Sequence, residues 1–324
     1  MSDPVEAALR SAFPGRTVEA LVGVGPSWNG GNETVGVDFA DGGRAYLKVA
    51  VEGDGSRIAR ERAVVEHVRA SGTVPVPRVL AADPDADVPY LATAPAPGRN
   101  LLDVYEAADT DRERVTLLRG VGETLATLHA ERFERHGEIV GECGDTGLEL
   151  ETGSWTDVLL ATIERTREIG TTDRLADHFD AVIDCVEANR STLDEAPAAL
   201  LHGDVAKPNA FVVDDPAETR LGLIDWELAH VGDPARDLVR ARDQLCNEFD
   251  SDGPDRFGDA VYAGYRERAG ELPEGFETRE AIYRVVRILG RSGFIDQWET
   301  YLDTPMSVLV ERIDTELDRR IAAV

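Results

Sequence analysis

Residues 199–240 read ALLHGDVAKPNAFVVDDPAETRLGLIDWELAHVGDPARDLVR, with acidic and amide residues placed beside short apolar runs. Asp204 follows an apolar run and His-Gly, and Asn209 comes five residues later, directly before a second apolar run. Asp225 ends a third apolar run, and the turn-rich segment 214–219 between the last two runs predicts a hairpin. Such a hairpin would place Asn209 and Asp225 at the same end of a strand pair. Because carboxylate and amide oxygens are donors that Mg²⁺ prefers when phosphates complete its coordination, the pattern indicates a magnesium and phosphate site.

The order of an Asp, an Asn five residues later and a second Asp after a hairpin resembles the catalytic loop of kinases. His202–Asn209 has the pattern His-Gly-Asp-x-x-x-x-Asn and in this resembles the aminoglycoside phosphotransferase and choline kinase-like family. The resemblance implies that Asp204 orients and deprotonates the acceptor hydroxyl, while Asn209 and Asp225 hold Mg²⁺. Unrelated acidic turns in a very acidic protein are the alternative.

A second element of the same family follows downstream. Gly232–Leu238 reads GDPARDL and resembles the family's Gly-Asp-Pro-x-x-Asp-Leu element. By this resemblance Asp237 braces the backbone of the catalytic loop, and His202 has a structural role beside it. Lys207 stands three residues after Asp204, a spacing that suits a cation reaching the transferred phosphoryl group. A lysine at the surface is the alternative.

The composition excludes several classes of protein. The chain has 324 residues, enough for two domains, and its 62 acidic against 34 basic residues give a formal net charge of −28. This charge argues against nucleic acid or an anionic membrane as partner. With a hydrophobic fraction of 42%, it predicts a folded, halophilic protein from a high-salt cytoplasm. Three scattered cysteines, the lack of a signal-peptide pattern and the lack of an apolar run of about 20 residues also predict a cytoplasmic location.

The chain contains only two lysines, Lys48 and Lys207, and both lie within kinase-like motifs. Lys48 is in a predicted strand, and the next predicted helix, 56–71, has three apolar residues on one face: Ile58, Val65 and Val68. Glu61 lies in the middle of that face, where a carboxylate is costly unless it is paired. We therefore predict a Lys48–Glu61 ion pair, which kinases use to position the α- and β-phosphates. A tolerated inward-facing Glu is the alternative.

Two further segments are expected to contact the nucleotide. The glycine-rich stretch 25–32 is predicted to fold over the ATP phosphates, with Ser27, Asn29 and Gly30 in the binding loop; an ordinary turn is the alternative. Strands over 73–80 and 89–93 would complete a five-stranded, mainly antiparallel sheet. The stiff segment 94–98 (APAPG) is then the predicted hinge. In the family such a hinge receives the adenine edge, which implicates Thr93, Ala94 and Pro95; a plain linker is the alternative.

The rest of the chain has helical periodicity. Helices are predicted over 109–132, 154–169, 172–193, 255–269, 277–301 and 305–323, with an irregular excursion over 134–153. His129 continues an apolar face and is interpreted as a hydrogen-bonded structural histidine. The C-terminal helices are expected to form one wall of the acceptor pocket, to which five residues could contribute without a supporting motif: Arg287, Arg291, Asp296, Trp298 and Glu299.

These observations predict an α+β, bilobal, protein kinase-like fold. Residues 1–93 would form a small N-terminal antiparallel β lobe that binds the nucleotide. Residues 94–98 would form the hinge, and 99–324 a larger, mostly helical lobe with the catalytic loop and the acceptor pocket. ATP is expected to bind between the two lobes.

The expected activity is transfer of the ATP γ-phosphate, with Mg²⁺, to a hydroxyl of an aminoglycoside-, choline- or homoserine-like small molecule. Asp225 is followed by Trp226-Glu227 without an activation loop, which favours a small-molecule kinase over a regulated protein kinase. In the family acidic pockets bind cationic acceptors, but here the whole chain is acidic, so the acceptor stays open. A pseudokinase sensor or scaffold is one alternative, although none of its usual losses is present. A metal-dependent hydrolase is another, with four candidate residues: His202, Asp204, Asp225 and His230.

Overall fold

The computed structural model describes residues 3–23, 31–52, 54–144, 147–213, 220–247, 252–298 and 302–324. A helix with the length and apolar character of a membrane span does not occur in these ranges.

The N-terminal part of the chain builds an antiparallel sheet beside two helices. Its elements are α1 (Asp3–Ala12), β1 (Val18–Gly23), β2 (Asn32–Phe39), β3 (Arg44–Ala50), α2 (Ser56–Ser71), β4 (Val79–Asp83) and β5 (Tyr90–Thr93). The five strands lie in the order β1-β2-β3-β5-β4, and every neighbouring pair is antiparallel. The predicted five-stranded sheet is therefore confirmed.

Strand β3 shows why Lys48 faces helix α2. Side chains alternate between the two faces of a strand, and one face of β3 is buried in the core against α1: Ala45, Leu47 and Val49. Lys48 points to the opposite face, beside Leu91 on the neighbouring strand. On that face Ala50 and Leu91 pack against Ile58 of α2. The helix ends where Gly72 adopts a left-handed conformation with φ 66°, as the sequence predicts.

The strand predicted over 73–80 is wrong for most of its length, because β4 begins only at Val79. Pro75 and Pro77 have no N–H to give to a sheet, which keeps the preceding residues out of it. Instead the carbonyl oxygen of Pro75 accepts a hydrogen bond from the Leu223 N–H at 3.0 Å.

The remaining elements are mostly helical. In chain order they are β6 (Gly98–Asn100), α3 (Leu101–Glu106), α4 (Asp111–Leu128), β7 (His136–Cys143), β8 (Gly147–Gly153), α5 (Trp155–Ile169), α6 (Asp177–Ala188), α7 (Arg190–Leu193), β9 (Ala199–Leu201), β10 (Ala210–Val213), β11 (Leu221–Leu223), β12 (His230–Gly232), α8 (Pro234–Cys246), α9 (Asp255–Ala269), α10 (Phe276–Arg287), α11 (Leu289–Ser292), α12 (Ile295–Trp298) and α13 (Met306–Ile321). An antiparallel N-terminal sheet followed by a mostly helical region confirms the α+β class.

The hairpin predicted within 210–224 is present. Strands β10 and β11 pair antiparallel, with Ala210 opposite Leu223 and Phe211 opposite Gly222, and β6 pairs with the other edge of β10. The connecting residues 214–219 lie outside the described ranges.

Three predictions about the helical part are corrected. The irregular excursion expected over 134–153 contains β7 and β8, which are neighbours in a sheet where β7 also pairs with β12: His230 of β12 lies opposite Glu138. The helix expected over 277–301 is divided into α10, α11 and α12. Gly290 and Gly293 lie within this stretch, and glycine is a poor helix former. The helix expected from residue 172 begins only at Asp177.

Internal contacts divide the chain into two compact units. The first contains the residues up to Val104 together with Ile139–Leu150 and Pro208–Ala229. The second contains Tyr105–Glu138, Glu151–Lys207 and the residues from His230 onward.

Candidate active site

In the first unit, Lys48 and Glu61 form the ion pair that the sequence predicts. Lys48 Nζ on β3 lies 2.7 Å from Glu61 Oε2 on α2. Glu61 is only 6% exposed, because it lies on the face of α2 that packs against the sheet. The strand alternation and the helix periodicity together aim the two side chains at each other.

Two more carboxylates reach the same ammonium group. Lys48 Nζ lies 2.5 Å from Asp225 Oδ1 and 3.4 Å from Glu227 Oε2. Asp225 has φ 67°, a left-handed conformation that is uncommon for residues other than glycine and often occurs at functional sites. Ligand oxygens of Glu61, Asp225 and Glu227 lie within 4.8 Å of one another, and we call these three residues the carboxylate cluster.

Glu227 was not among the site residues predicted from the sequence. It is held by Asn32, whose Nδ2 donates to its Oε2 at 2.6 Å, and by Arg60, whose Nη1 donates to its backbone carbonyl at 3.1 Å. Trp226 between the two acidic residues is fully buried. The signal in the sequence is the pair of acidic residues on either side of a tryptophan, Asp225-Trp226-Glu227.

The carboxylate cluster carries more negative charge than Lys48 neutralises. Burial favours the neutral amine, but the three carboxylates outweigh it and raise the pKa of Lys48 well above its usual value. Burial, opposed by the charge of Lys48, raises the pKa of Glu61 to about 7. A hard divalent cation such as Mg²⁺ is chemically suited to such a set of oxygens, so the donor set fits the metal.

Asn209 is brought to the same end of the hairpin as Asp225, as the sequence predicts. Its carbonyl oxygen accepts a hydrogen bond from the N–H of Ile224, the residue before Asp225, at 2.9 Å. Asn209 is the last residue of the short 3₁₀ turn Lys207–Asn209 that leads into β10.

In the second unit, Asp204 is fixed by two side chains of helix α8. Arg240 Nη2 and Gln244 Nε2 both donate to Asp204 Oδ1, at 2.7 and 2.8 Å. A quarter of the Asp204 side chain is exposed. Burial acts to raise the pKa of this carboxyl, but Arg240 and Gln244 outweigh it and the pKa is lowered, which keeps Asp204 ionised near neutral pH.

Asp237 has the backbone contacts that the sequence predicts. Its carboxylate accepts hydrogen bonds from the N–H groups of His202 and Gly203, each at 2.9 Å. Burial acts to raise its pKa, but His129 and His202 outweigh burial and hold the pKa far below its usual range. His129 Nε2 lies 3.2 Å from Asp237 Oδ2, and the ring is buried, in agreement with its structural interpretation. His202 holds the loop as well, since its Nδ1 accepts from the N–H of Asp204 at 3.2 Å.

Lys207 contacts an aromatic ring. Its Nζ is 4.5 Å from the centroid of the Tyr105 ring, a cation–π distance.

The predicted nucleotide contacts of the N-terminal part are only partly described. Ser27, Asn29 and Gly30 lie outside the described ranges. Thr93 ends β5, and the N–H of Ala94 donates to the carbonyl of Arg78 at 2.8 Å, so it is not free to bind adenine. Pro95 has no N–H, and any contact of this segment with adenine would use carbonyl groups or the N–H of later residues.

Among the residues considered for the acceptor wall, Trp298 is buried at 2% exposure and belongs to the core. Asp296 accepts a hydrogen bond from Arg174 at 2.8 Å. Arg287 and Arg291 both lie against Asp243. Glu299 lies outside the described ranges.

Comparisons with known proteins agree with this geometry. A sequence model of the family described as "Phosphotransferase enzyme family" matches residues 26–280. A search of curated proteins gave no match.

Three solved structures illustrate the similarity of fold. A thermostable mutant of aminoglycoside phosphotransferase APH(4)-Ia, in complex with AMP-PNP and hygromycin B, has 20% identity and a TM-score of 0.61, over 99% of each chain. A protein assigned as a fructosamine-3-kinase from Thermobifida fusca has 21% identity and a TM-score of 0.61 over the full length of both chains. An aminoglycoside-3'-phosphotransferase of type VIII has 22% identity and a TM-score of 0.63, over 90% of this chain and 100% of its own. At these identities the similarity establishes a kinase-like fold.

Proposed function

Because the chain belongs to the phosphotransferase enzyme family, we propose that it transfers the γ-phosphoryl group of ATP to a hydroxyl group of a small molecule. The observation that supports this best is Lys48 held by the carboxylate cluster. One ammonium group beside three carboxylates is an arrangement suited to nucleotide phosphates together with a divalent cation.

Lys48 is the proposed ligand of the ATP phosphates. Glu61 holds the ammonium group through its 2.7 Å contact and thereby fixes its position. Because Lys48 stays protonated, it presents a full positive charge to the phosphate oxygens.

Mg²⁺ would be held by Asn209 and Asp225, and Glu227 offers a further oxygen beside them. When bound, the ion neutralises charge on the phosphates. The excess of negative charge in the carboxylate cluster favours binding of such a cation.

Asp204 is the proposed base. Its carboxylate would take the proton of the acceptor hydroxyl while the hydroxyl oxygen forms a bond to the γ-phosphorus. The bond from the γ-phosphorus to the bridging oxygen breaks, and ADP leaves with that electron pair. Arg240 and Gln244 hold the base in one orientation, and Asp237 holds the backbone that carries it. Orientation of this kind supplies much of the rate of phosphoryl transfer.

The acceptor is proposed to be a small hydroxylated molecule. The similar structures include one bound to hygromycin B and one assigned as a fructosamine-3-kinase, so hydroxyl-rich molecules are the reasonable first candidates. A transfer assay with Mg·ATP against aminoglycosides, amino alcohols, homoserine, sugars and sugar acids would identify it.

The first prediction tests the base. Asp204→Asn keeps the shape of the side chain and removes its charge, so single-turnover transfer should fall by about 10²–10⁴-fold while Mg·ATP affinity changes little. Stopped-flow transfer and a nucleotide titration measure the two quantities. Asp255→Asn is the control, because its side chain is 95% exposed. Transfer at the parent rate in Asp204→Asn would show that another group takes the proton.

The second prediction tests the metal assignment. Asp225→Ala removes a proposed ligand of Mg²⁺ and one of the three carboxylates beside Lys48. The gain in ATP affinity that Mg²⁺ gives the parent protein should disappear, as measured by calorimetry with and without the metal. An undiminished effect of Mg²⁺ in this variant would remove Asp225 from the metal site.

A further inference from the structure

Helices α8, α10 and α11 bring four arginines of the second unit into one group. Arg236 and Arg240 are four residues apart on α8, which places them on one helix face. Arg287 ends α10 and Arg291 lies one turn later on α11, and α10 packs against α8. In a chain with a net charge of −28 this concentration of positive charge, here called the arginine cluster, is unexpected.

The arginine cluster borders the proposed base. Arg240 binds Asp204 directly at 2.7 Å. Arg287 Nε and Arg291 Nη2 lie 2.8 and 3.0 Å from the two oxygens of a single carboxylate, that of Asp243. Arg236 donates from Nη1 to the ring of His230 at 3.0 Å, and the nearest acidic group on its own helix, Asp237, already binds two backbone amides and His129.

Among the described residues, the guanidinium groups of the cluster form ion pairs with two carboxylates, those of Asp204 and Asp243. Arg287 Nε and Asp243 Oδ2 are an ion pair at 2.8 Å, but their orientation makes no hydrogen bond, and neither buried atom has another hydrogen-bond partner in the described part of the chain. Burial, with a contribution from the neighbouring arginines, lowers the pKa of Arg236 and of Arg287 to about 10. An additional anion beside these groups would accept hydrogen bonds from them and stabilise their charge.

The same group of side chains is partly exposed to solvent. A quarter of the Asp204 and Arg240 side chains is exposed, and Arg287 and Arg291 are 14% and 15% exposed. A molecule that places its hydroxyl at Asp204 would therefore have guanidinium groups beside it. Guanidinium forks match the two oxygens of a carboxylate or a phosphate.

Resting on the proposed function, we infer that the acceptor phosphorylated at Asp204 carries an anionic group, a carboxylate or a phosphate, which Arg240, Arg287 and Arg291 bind. A cationic acceptor would be repelled by these side chains. The arginine cluster thus selects anionic acceptors, which the negative charge of the whole chain would otherwise disfavour.

A matched series of three-carbon alcohols tests this. Glycerate carries a carboxylate, glycerol 3-phosphate a phosphate, glycerol no charge and 3-amino-1,2-propanediol a positive charge. At fixed ionic strength with Mg·ATP, one or both anionic alcohols should be phosphorylated with a kcat/KM at least about tenfold above that of glycerol, and the amine should be poorest. The two anionic alcohols distinguish carboxylate from phosphate. Equal turnover of all four, or a preference for the amine, would overturn the inference.

Substitution of two arginines tests whether the arginine cluster causes the preference for anionic alcohols. Arg291→Gln and Arg287→Gln should each lower kcat/KM for the preferred anionic alcohol by about ten- to a hundredfold, the loss expected for one charged hydrogen bond, and so reduce its preference over glycerol. Arg10→Gln removes the same charge from an exposed position on α1 and should change neither value. Melting temperatures show which variants are folded, and two variants are used because both arginines lie against Asp243 and either substitution could affect folding.

If none of these small alcohols is phosphorylated, a measurement of anion binding tests the inference instead. In the presence of saturating Mg·AMP-PNP, the preferred anion should raise the melting temperature of the parent protein above the value with glycerol, and this rise should be absent in Arg291→Gln. No rise, or the same rise in the variant, rejects the anionic acceptor. Failure of the proposed function looks different, since the protein would then either not bind Mg·ATP, or bind it and transfer phosphate to no alcohol of the wider panel.

Discussion

At the scale of the residue, Lys48 is the group on which the first unit's site depends. It is in contact with Glu61, Asp225 and Glu227 together. Lys48→Ala leaves these carboxylates without their ammonium partner in a partly buried position. We expect a loss of ATP affinity and a decrease in the free energy of unfolding of about 1–3 kcal/mol, the cost of unpaired buried polar groups. ATP titration and urea unfolding measure the two effects.

The chain supplies its own control for this substitution. Lys207 is the second of the two lysines, and it contacts an aromatic ring rather than a carboxylate. Lys207→Ala should therefore change the free energy of unfolding much less than Lys48→Ala does. Equal stability of the parent and Lys48→Ala would mean that the ion pair contributes nothing net to folding.

At the scale of the element, helices α4 and α9 pack unusually closely through glycines. A methyl group on Gly122 of α4 would overlap the carbonyl oxygen of Val261, and one on Gly264 of α9 would overlap that of Arg119. Both obstacles are backbone atoms, which cannot move aside as a side-chain tip can. Gly122→Ala should separate the helices and lower the free energy of unfolding by about 1–3 kcal/mol, as overpacking does, despite the better helix propensity of alanine. Urea unfolding measures it.

Gly141→Ala on β7 is the comparison, because its added methyl group meets nothing closer than Glu149 Oε2 at 3.6 Å. Its effect on the free energy of unfolding should be smaller. A stabilised Gly122→Ala variant would indicate that the two helices can move apart without loss of contact.

At the scale of the whole molecule, mutual repulsion among 62 acidic residues opposes the compact state. Screening shortens the range of this repulsion from about 10 Å at 0.1 M salt to about 3 Å at 1 M. We therefore predict a melting temperature several degrees higher in about 1 M KCl than in dilute buffer, since each 1 kcal/mol gained is worth about 2–4 °C in large domains. Calorimetry at a series of KCl concentrations tests this.

Sucrose provides the matching control for that experiment, because it favours compact states without screening charge. The melting temperature should rise more steeply with KCl concentration than with sucrose concentration. Salt also weakens the many surface arginine–carboxylate pairs, and a melting temperature that falls as KCl rises would show that these pairs outweigh the repulsion.

The sequence by itself determined the elements whose signals are local. The bounds of α2 and α9 follow from periodicity and from the glycines that end them. The Lys48–Glu61 pair follows from two short-range periods, because a buried carboxylate on an apolar helix face needs a cation and the chain offers few lysines. The contact of Asp237 with the backbone at His202 was predicted from the resemblance of Gly232–Leu238 to a family motif, not from hydrophobic periodicity.

Only the tertiary structure decided which distant side chains meet. Strand β7 lies between β8, the next strand along the chain, and β12, and no local alternation in a glycine-rich stretch reveals that β12 is a partner. The contacts of Glu227 with Lys48, and of Arg240 with Asp204, join residues 179 and 36 positions apart. The physical reason is that periodicity fixes the face on which a side chain lies, whereas the partner on that face is set by how whole elements pack.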